Sequence, residues 1–209
     1  MKIYVVNGFP GSGKTTFEEY VGKLVKHVSI LSTIKPIKEM AYDFGWNGEK
    51  DAKGRKLLAD LKRAWVTYDD QPFRYISNEL QGIDYDYPDC VVFIDSREPE
   101  EIKKLCEEFE AKSVLIRRAT MENKEQSNES DANVLNYNYD IVIENNGDLG
   151  DLALAAENFI KKEELPKAGT PYYIDLFGDI VRPYEPKILR FKNGTQLDLT
   201  TPLKFKGLA

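Results

Sequence analysis

Short apolar runs alternate along this chain with longer stretches whose apolar residues recur every three or four positions. The runs are KIYVVN (Lys2–Asn7), HVSILST (His27–Thr33), CVVFID (Cys90–Asp95), KSVLIRR (Lys112–Arg118) and the start of YDIVIENN (Tyr139–Asn146). Their length and continuity predict buried strands. Between them, Phe17, Val21, Leu24, Val25 and Val28 share one face at helical spacing. A second helix is predicted from about Pro36 to just before Gly45. A third spans Asp51–Trp65, with Leu57, Leu58, Leu61 and Trp65 on one face. DQPFRYISNEL (Asp70–Leu80) reads as another short helix, with Pro72 tolerated in its first turn. Pro99–Phe109 is a further one, and a last helix follows the Asn/Gly turn after Tyr139–Asn146. Strands alternating with helices predict an α/β fold: three layers, α/β/α, around a parallel sheet covered on both faces. Ligands on such sheets sit at the carboxyl ends of the strands, so the loops after Asn7, Thr33, Asp95 and Ile116 are the ones to watch.

The pattern changes at about Pro166. Prolines become frequent, the helical period disappears, and LRFKNGTQLDL sets Asn193-Gly194 between alternating segments, a hairpin signal. The expected division is therefore a main domain over 1–165 and a small C-terminal β-appendage within 166–209, its strands over Gly169–Ala209. The appendage is expected to cover a sheet edge or to supply a homodimer contact. A role in substrate choice is the less favoured use.

The loop after the first strand carries chemistry. Gly8, Gly13, Lys14 and Thr15 meet the pattern G-x-x-x-x-G-K-[ST], the P-loop. A chain of this length meets it by chance about once in a hundred. Here it also lies between a predicted strand and a predicted helix, as its mechanism demands. Glycines let the backbone wrap tightly. Successive N–H groups then line one concavity for phosphate oxygens, and the helix adds its positive dipole end. Gly8, Gly11, Ser12, Gly13, Lys14, Thr15 and Thr16 are the expected nucleotide-binding residues. Lys14 would reach the β- and γ-phosphates of ATP, and the Thr15 hydroxyl would ligate Mg²⁺.

A second constellation ends the strand Cys90–Asp95. Asp95 there can support Mg²⁺ or accept a proton from an attacking hydroxyl. The plainer role is to cap the helix at Pro99, but a strand end is where ligands bind. Arg97 offers a planar fork of donors for a phosphate or carboxylate. Arg117 and Arg118 end another strand before the polar stretch 119–133; either can neutralise charge during phosphoryl transfer. Sequence alone leaves open which of the two points inward. Arg55 and Lys62 project together from their helix, away from the leucines, and with Arg63 make a basic face. Solvation is the plain reading of that face. An acceptor-phosphate clamp, with Arg55 as a substrate-binding residue, is the sharper one. Tyr42, Trp46 and Tyr68 are read first as core residues and second as stacking partners for a planar acceptor. His27 is the only histidine and is given no catalytic role.

Composition narrows the field. The 209 residues are 42% hydrophobic, enough for a real core, and carry a net charge of −6. With no strongly basic block, nucleic acid is not an expected partner. No apolar run approaches the length of a membrane span, and a strand beginning at residue 2 leaves no room for a leader, so the expected compartment is the cytoplasm. Cys90 and Cys106 are the only cysteines. Without a C-x-x-C pair or a nearby histidine they are read as apolar filler in a reducing compartment, not as zinc ligands.

With the P-loop, FIDSREPEEI and ADLKRAW in view, the chain resembles the adenylate-kinase-like P-loop kinases of small phosphorylated substrates, closest to the deoxynucleoside monophosphate kinase group. IDSREPEE matches that group's strand-ending acid followed by Arg, Pro, Glu and a helix. YDIVIENNGDLGDL (Tyr139–Leu152) matches its late aspartate-bearing strand running into Asn and Gly. The likeness covers about residues 1–163. It implies transfer of the ATP γ-phosphate to a phosphate on an acceptor such as a (deoxy)nucleoside monophosphate. Gly8–Thr16 would hold ATP·Mg²⁺, Asp95 and Arg97 would face the acceptor, and Arg117 or Arg118 would serve as the lid arginine. Segments 34–89 and 117–133 would close over both substrates. The stretch 119–133 lacks the usual set of lid arginines, and 34–89 shows no base-recognition motif. Phosphomevalonate kinase-like enzymes share the layout. A P-loop ATPase or a nucleotide-binding module without an acceptor is the remaining alternative. A switch GTPase is disfavoured, because NKEQ (Asn123–Gln126) lacks the aspartate of N-K-x-D.

Overall fold

The computed structural model describes residues 1–49, 51–122 and 133–168, and four short strands beyond them. Five strands form one sheet: β1 (Lys2–Asn7), β2 (Val28–Ser32), β3 (Val91–Asp95), β4 (Lys112–Arg117) and β5 (Ile141–Glu144). They lie in the order β2-β3-β1-β4-β5, and every pairing is parallel. The connecting helices are α1 (Lys14–Leu24), α2 (Lys35–Asp43), α3 (Ala52–Asp69), α4 (Gln71–Asp86), α5 (Pro99–Phe109), the single turn α6 (Ala119–Glu122) and α7 (Leu149–Lys162). This is the three-layer α/β/α arrangement that the alternating pattern predicts.

One face of the sheet packs on α1 and α7. Tyr4, Val6, Phe93 and Ile116 from the strands meet Phe17 and Val21 of α1 and Leu152, Ala156 and Phe159 of α7. Four of these residues form an aromatic knot: Phe159 stands edge-on to Tyr4 at 5.0 Å and to Phe17 at 5.4 Å, with Phe93 beside all three. Such contacts add to plain burial and fix the helix that follows the P-loop. The opposite face packs Val5, Val92 and Ile94 on Ile76 and Leu80 of α4 and on Ile102 and Leu105 of α5. β1 and its neighbour β3 thus send their following helices to opposite faces. That opens a crevice at their carboxyl ends.

Several elements differ from their sequence pattern. α1 stops at Leu24, which is 40% exposed, because Val25 turns extended and Val28 starts β2. α3 and α4 run on to Asp69 and Asp86, separated only by Asp70 at φ 45°. On α3, Leu58 is buried with Ile37 and Ala41 of α2, and Leu61 and Trp65 pack against them, but Leu57 is exposed. Trp46 joins that small cluster, whereas Tyr42 and Tyr68 are exposed and are not core residues.

The chain divides into two units, Met1–Ala168 and Gly169–Ala209. In the second, β6 (Tyr173–Ile174) pairs antiparallel with β7 (Ile180–Val181), and β8 (Ile188–Arg190) with β9 (Gln196–Asp198). Asn193 and Gly194, the expected hairpin turn between β8 and β9, lie outside the described residues, as do residues 123–132 of the polar stretch. Among the described residues, no helix is long and apolar enough to cross a membrane.

Candidate functional site

β1 delivers the chain directly into the glycine loop. Asn7 is buried at its end and accepts a hydrogen bond from the Gly8 amide at 2.8 Å. The Ser12 amide donates back to the Phe9 carbonyl at 3.0 Å, closing the turn. Two glycines are dictated by geometry. A side chain on Gly8 would come within 2.5 Å of Ser12 Oγ and 2.7 Å of the Ile116 carbonyl. Gly13 sits at φ 94°, where L-residues are strained, and a Cβ there would fall on Asn145 Nδ2. α1 starts at once, its first internal bond running from the Phe17 amide to the Gly13 carbonyl at 2.9 Å. No side chain caps this helix, and no acid lies in its first turn. Its leading amides and dipole therefore face outward for an anion. Ser12 Oγ is buried without a partner in the wall of the same loop.

The loop forms one side of a cleft of about 690 Å³. Gly8, Gly11, Ser12, Gly13, Lys14, Thr15 and Thr16 all line it, joined by Arg97, Arg118 and, from the loop after β5, Asn145, Gly147, Asp148 and Leu149. Asp95, at the end of β3, is not among the lining residues but pairs with Lys14, Nζ to Oδ1 at 2.6 Å, both side chains largely shielded. Asp95 is not a helix cap: that position belongs to Glu98, whose side chain makes no capping bond. Asn7 Nδ2 donates to the Arg97 carbonyl at 3.3 Å and to Tyr139 Oη at 2.7 Å, tying the arginine's backbone to β1.

The two neighbouring arginines part company. Arg118 lines the cleft. Arg117 does not; Glu122 takes its Nε at 2.7 Å and Glu144 its Nη1 at 3.4 Å, so its charge is spent on carboxylates outside. Arg55 is exposed on α3 and does not line the cleft. Lys62 does not share a free basic face with it. Lys62 is half-buried, donating to Glu101 at 2.8 Å and to Thr33 Oγ1 at 3.1 Å. Glu101 also accepts from Thr33 and Ser96, giving a knot at the ends of β2 and β3. Arg63 pairs with Asp60 at 3.5 Å.

Thr15 and Asp95 supply a hydroxyl and a carboxylate, hard oxygens of the kind Mg²⁺ takes. Among the described residues no group of three or more His, Cys, Asp and Glu could hold a metal by itself. Two protein oxygens would leave the rest of an octahedral shell to phosphates and water, the usual manner of Mg²⁺ binding. Cys90 is buried and Cys106 half-buried; burial pushes both thiols up to about 11, which leaves them unreactive near neutrality. His27 pairs with Asp89 at 2.9 Å, away from the cleft.

Asn145, Gly147, Asp148 and Leu149 of the cleft, and Glu18 on α1, were not among the site residues expected from the sequence. Asn145, 4% exposed, donates from Nδ2 to the Ser12 carbonyl at 2.7 Å and so braces the P-loop from β5. The rule of strand ends points at β5 as well as at the four loops singled out above, and was the available signal. Glu18, one turn along α1 from Lys14, is buried with one carboxylate oxygen unpartnered. Nothing in a helical pattern marks such a residue.

No family model and no curated protein matches this chain. Solved structures similar to it include TT1252 from Thermus thermophilus (18% identity, TM-score 0.48), over 77% of this chain and 97% of that one. The tunicamycin resistance protein of Deinococcus radiodurans (10%, TM-score 0.49) aligns over 81% and 100%. Dephospho-CoA kinase from Campylobacter jejuni (15%, TM-score 0.45) aligns over 77% and 96%.

Proposed function

We propose that this chain is an ATP-dependent phosphotransferase that moves the γ-phosphate to a small phosphorylated acceptor, a (deoxy)nucleoside monophosphate. One observation carries the reading: the uncapped start of the P-loop helix, Lys14, Arg97 and Arg118 all line a single cleft, and Asp95 pairs with Lys14 at its edge. A site that only held a nucleotide would need the loop and Lys14. The extra arginines suit a second phosphate and the charge that builds up during transfer.

The loop amides would grip the β-phosphate, and Lys14 would bridge the β- and γ-phosphates. Lys14 is held by Asp95 at 2.6 Å and would exchange that partner for the phosphate oxygens. Arg97 would hold the acceptor's phosphate, one of whose oxygens attacks the γ-phosphorus as the bond to the ADP oxygen breaks. Arg118 would share the negative charge on the transferring group. Mg²⁺, when bound through Thr15 and Asp95, supplies a further positive charge on the phosphate oxygens. Positioning and charge neutralisation provide the rate; the protein forms no bond to the substrate.

The test is ADP release from ATP with nucleoside monophosphates, their deoxy forms, phosphomevalonate, and no acceptor. Release that depends on a monophosphate is expected. Release that depends on phosphomevalonate moves the acceptor class, and equal release without any acceptor makes the chain an ATPase and defeats the proposal. Lys14→Ala is expected to abolish transfer while leaving the circular dichroism spectrum and melting temperature in place. Unchanged turnover in that variant would also defeat the proposal.

A further inference from the structure

Three consecutive residues at the end of β5 each hydrogen-bond to the segment around Arg118 or to the phosphate loop. Glu144 faces Arg117 in the β4–β5 register and takes its guanidinium outward. Asn145 donates its backbone N–H to the Arg117 carbonyl at 2.8 Å and its side-chain amide to the Ser12 carbonyl at 2.7 Å. Asn146 accepts the Ala119 N–H on Oδ1 at 2.8 Å and returns its own Nδ2 to Glu144 at 3.0 Å. The peptide groups on both sides of Arg118 are thus pinned, one by Asn145 and one by Asn146. The Arg118 carbonyl is held too, by the Met121 amide at 2.9 Å. Successive side chains leaving a strand point to opposite sides, so fixing Arg117 outward turns Arg118 inward. The same turn braces the phosphate loop, and the arginine and the loop therefore share one frame.

We infer that Asn146 is a positioning residue for Arg118: it lies outside the cleft lining, yet it holds the backbone that aims this arginine at the transferring phosphate. The inference rests on the phosphotransfer reading of the cleft. It assigns the Glu144-Asn145-Asn146 turn a part in transfer that its surface position hides. Asn146 is exposed, so its replacement should leave the core untouched.

The experiment is a double-mutant cycle on kcat and KM for ATP, using whichever acceptor supports turnover in the unaltered protein. Asn146→Ala is expected to lower kcat about ten-fold, on the scale of one lost hydrogen bond, with KM for ATP unchanged. In the Arg118→Ala background the same change is expected to cost little, because the residue it aims is gone. Melting curves show that each variant is folded. The inference is overturned if Asn146→Ala leaves kcat unaltered, or if it costs the same factor with and without Arg118. It is also overturned if Arg118→Ala does not slow transfer. These outcomes leave the phosphotransfer reading standing. Absence of transfer in the unaltered protein would take down both.

Discussion

Glu18 is 1% exposed, and its carboxyl is pushed from an ordinary 4.5 to about 8. Burial is the main cause and repulsion from Asp95 the next; Lys14 opposes both, and Glu19 adds a little repulsion. Between these two values the folded protein keeps a proton that the unfolded chain releases. Stability from this group is therefore full below about pH 4.5 and drains away as pH rises through about 8. Glu18→Gln, neutral at every pH, should flatten that decline. Urea unfolding at pH 5 and pH 8 checks it: the variant should gain on the unaltered protein at the higher pH, and parallel profiles would refute the assignment. Gly13 yields a second prediction at this scale. Alanine there meets both the strain of φ 94° and the Asn145 amide. Gly13→Ala should cost about 1–2 kcal/mol of stability from the backbone alone, read from urea midpoints. Calorimetry should find Mg·ATP binding lost; full binding would mean that the loop tolerates a reshaped floor.

At the scale of elements, α7 shows how a terminus serves both the core and the site. Asp148 accepts the Gly150 and Asp151 amides at 2.7 and 3.1 Å, and the Asp148 amide in turn donates to the Asp151 carboxylate at 3.0 Å. This reciprocal cap starts a helix that carries Leu152 and Phe159 into the core beside α1. Asp148→Ala should lower stability by about 1 kcal/mol, and Asp148→Ser should recover most of it. Chemical denaturation of the pair decides whether the cap or the charge matters. The strands and the P-loop were legible because each depends on neighbours in sequence; the Asp148–Asp151 cap is equally local but was not singled out. The failures depended on neighbours in space. Leu57 and Leu58 look alike in a helical pattern, and only the placement of α2 decides that Leu58 is buried. Lys62 passed for solvated until α5 brought Glu101 to it. Arg117 and Arg118 were indistinguishable until Glu122 and Glu144 claimed the first.

For the whole molecule, the question is where the first unit ends. Helix α7 finishes at Lys162, but the chain beyond it is still tied to that unit. Lys167 makes an antiparallel bridge with Val25; the Lys26 amide donates to the Pro166 carbonyl and the Ala168 amide to the Leu24 carbonyl, both at 2.9 Å. These bonds clasp the end of α1, just where that helix gives way to β2. The expected division at 165/166 rested on Pro166 and a change of composition, and neither reveals a backbone pairing 140 or so residues back along the chain. A protein ending at Ala168 keeps the core on both faces of the sheet, the cleft and this clasp, so it should unfold cooperatively with the midpoint of the full chain. One ending at Leu165 loses two backbone hydrogen bonds and should be less stable by about 1–3 kcal/mol. Urea titrations of the two shortened proteins separate these outcomes. Equal midpoints would show the clasp to be idle. A failure of the 168-residue form to fold would show that the first unit draws stability from residues 169–209.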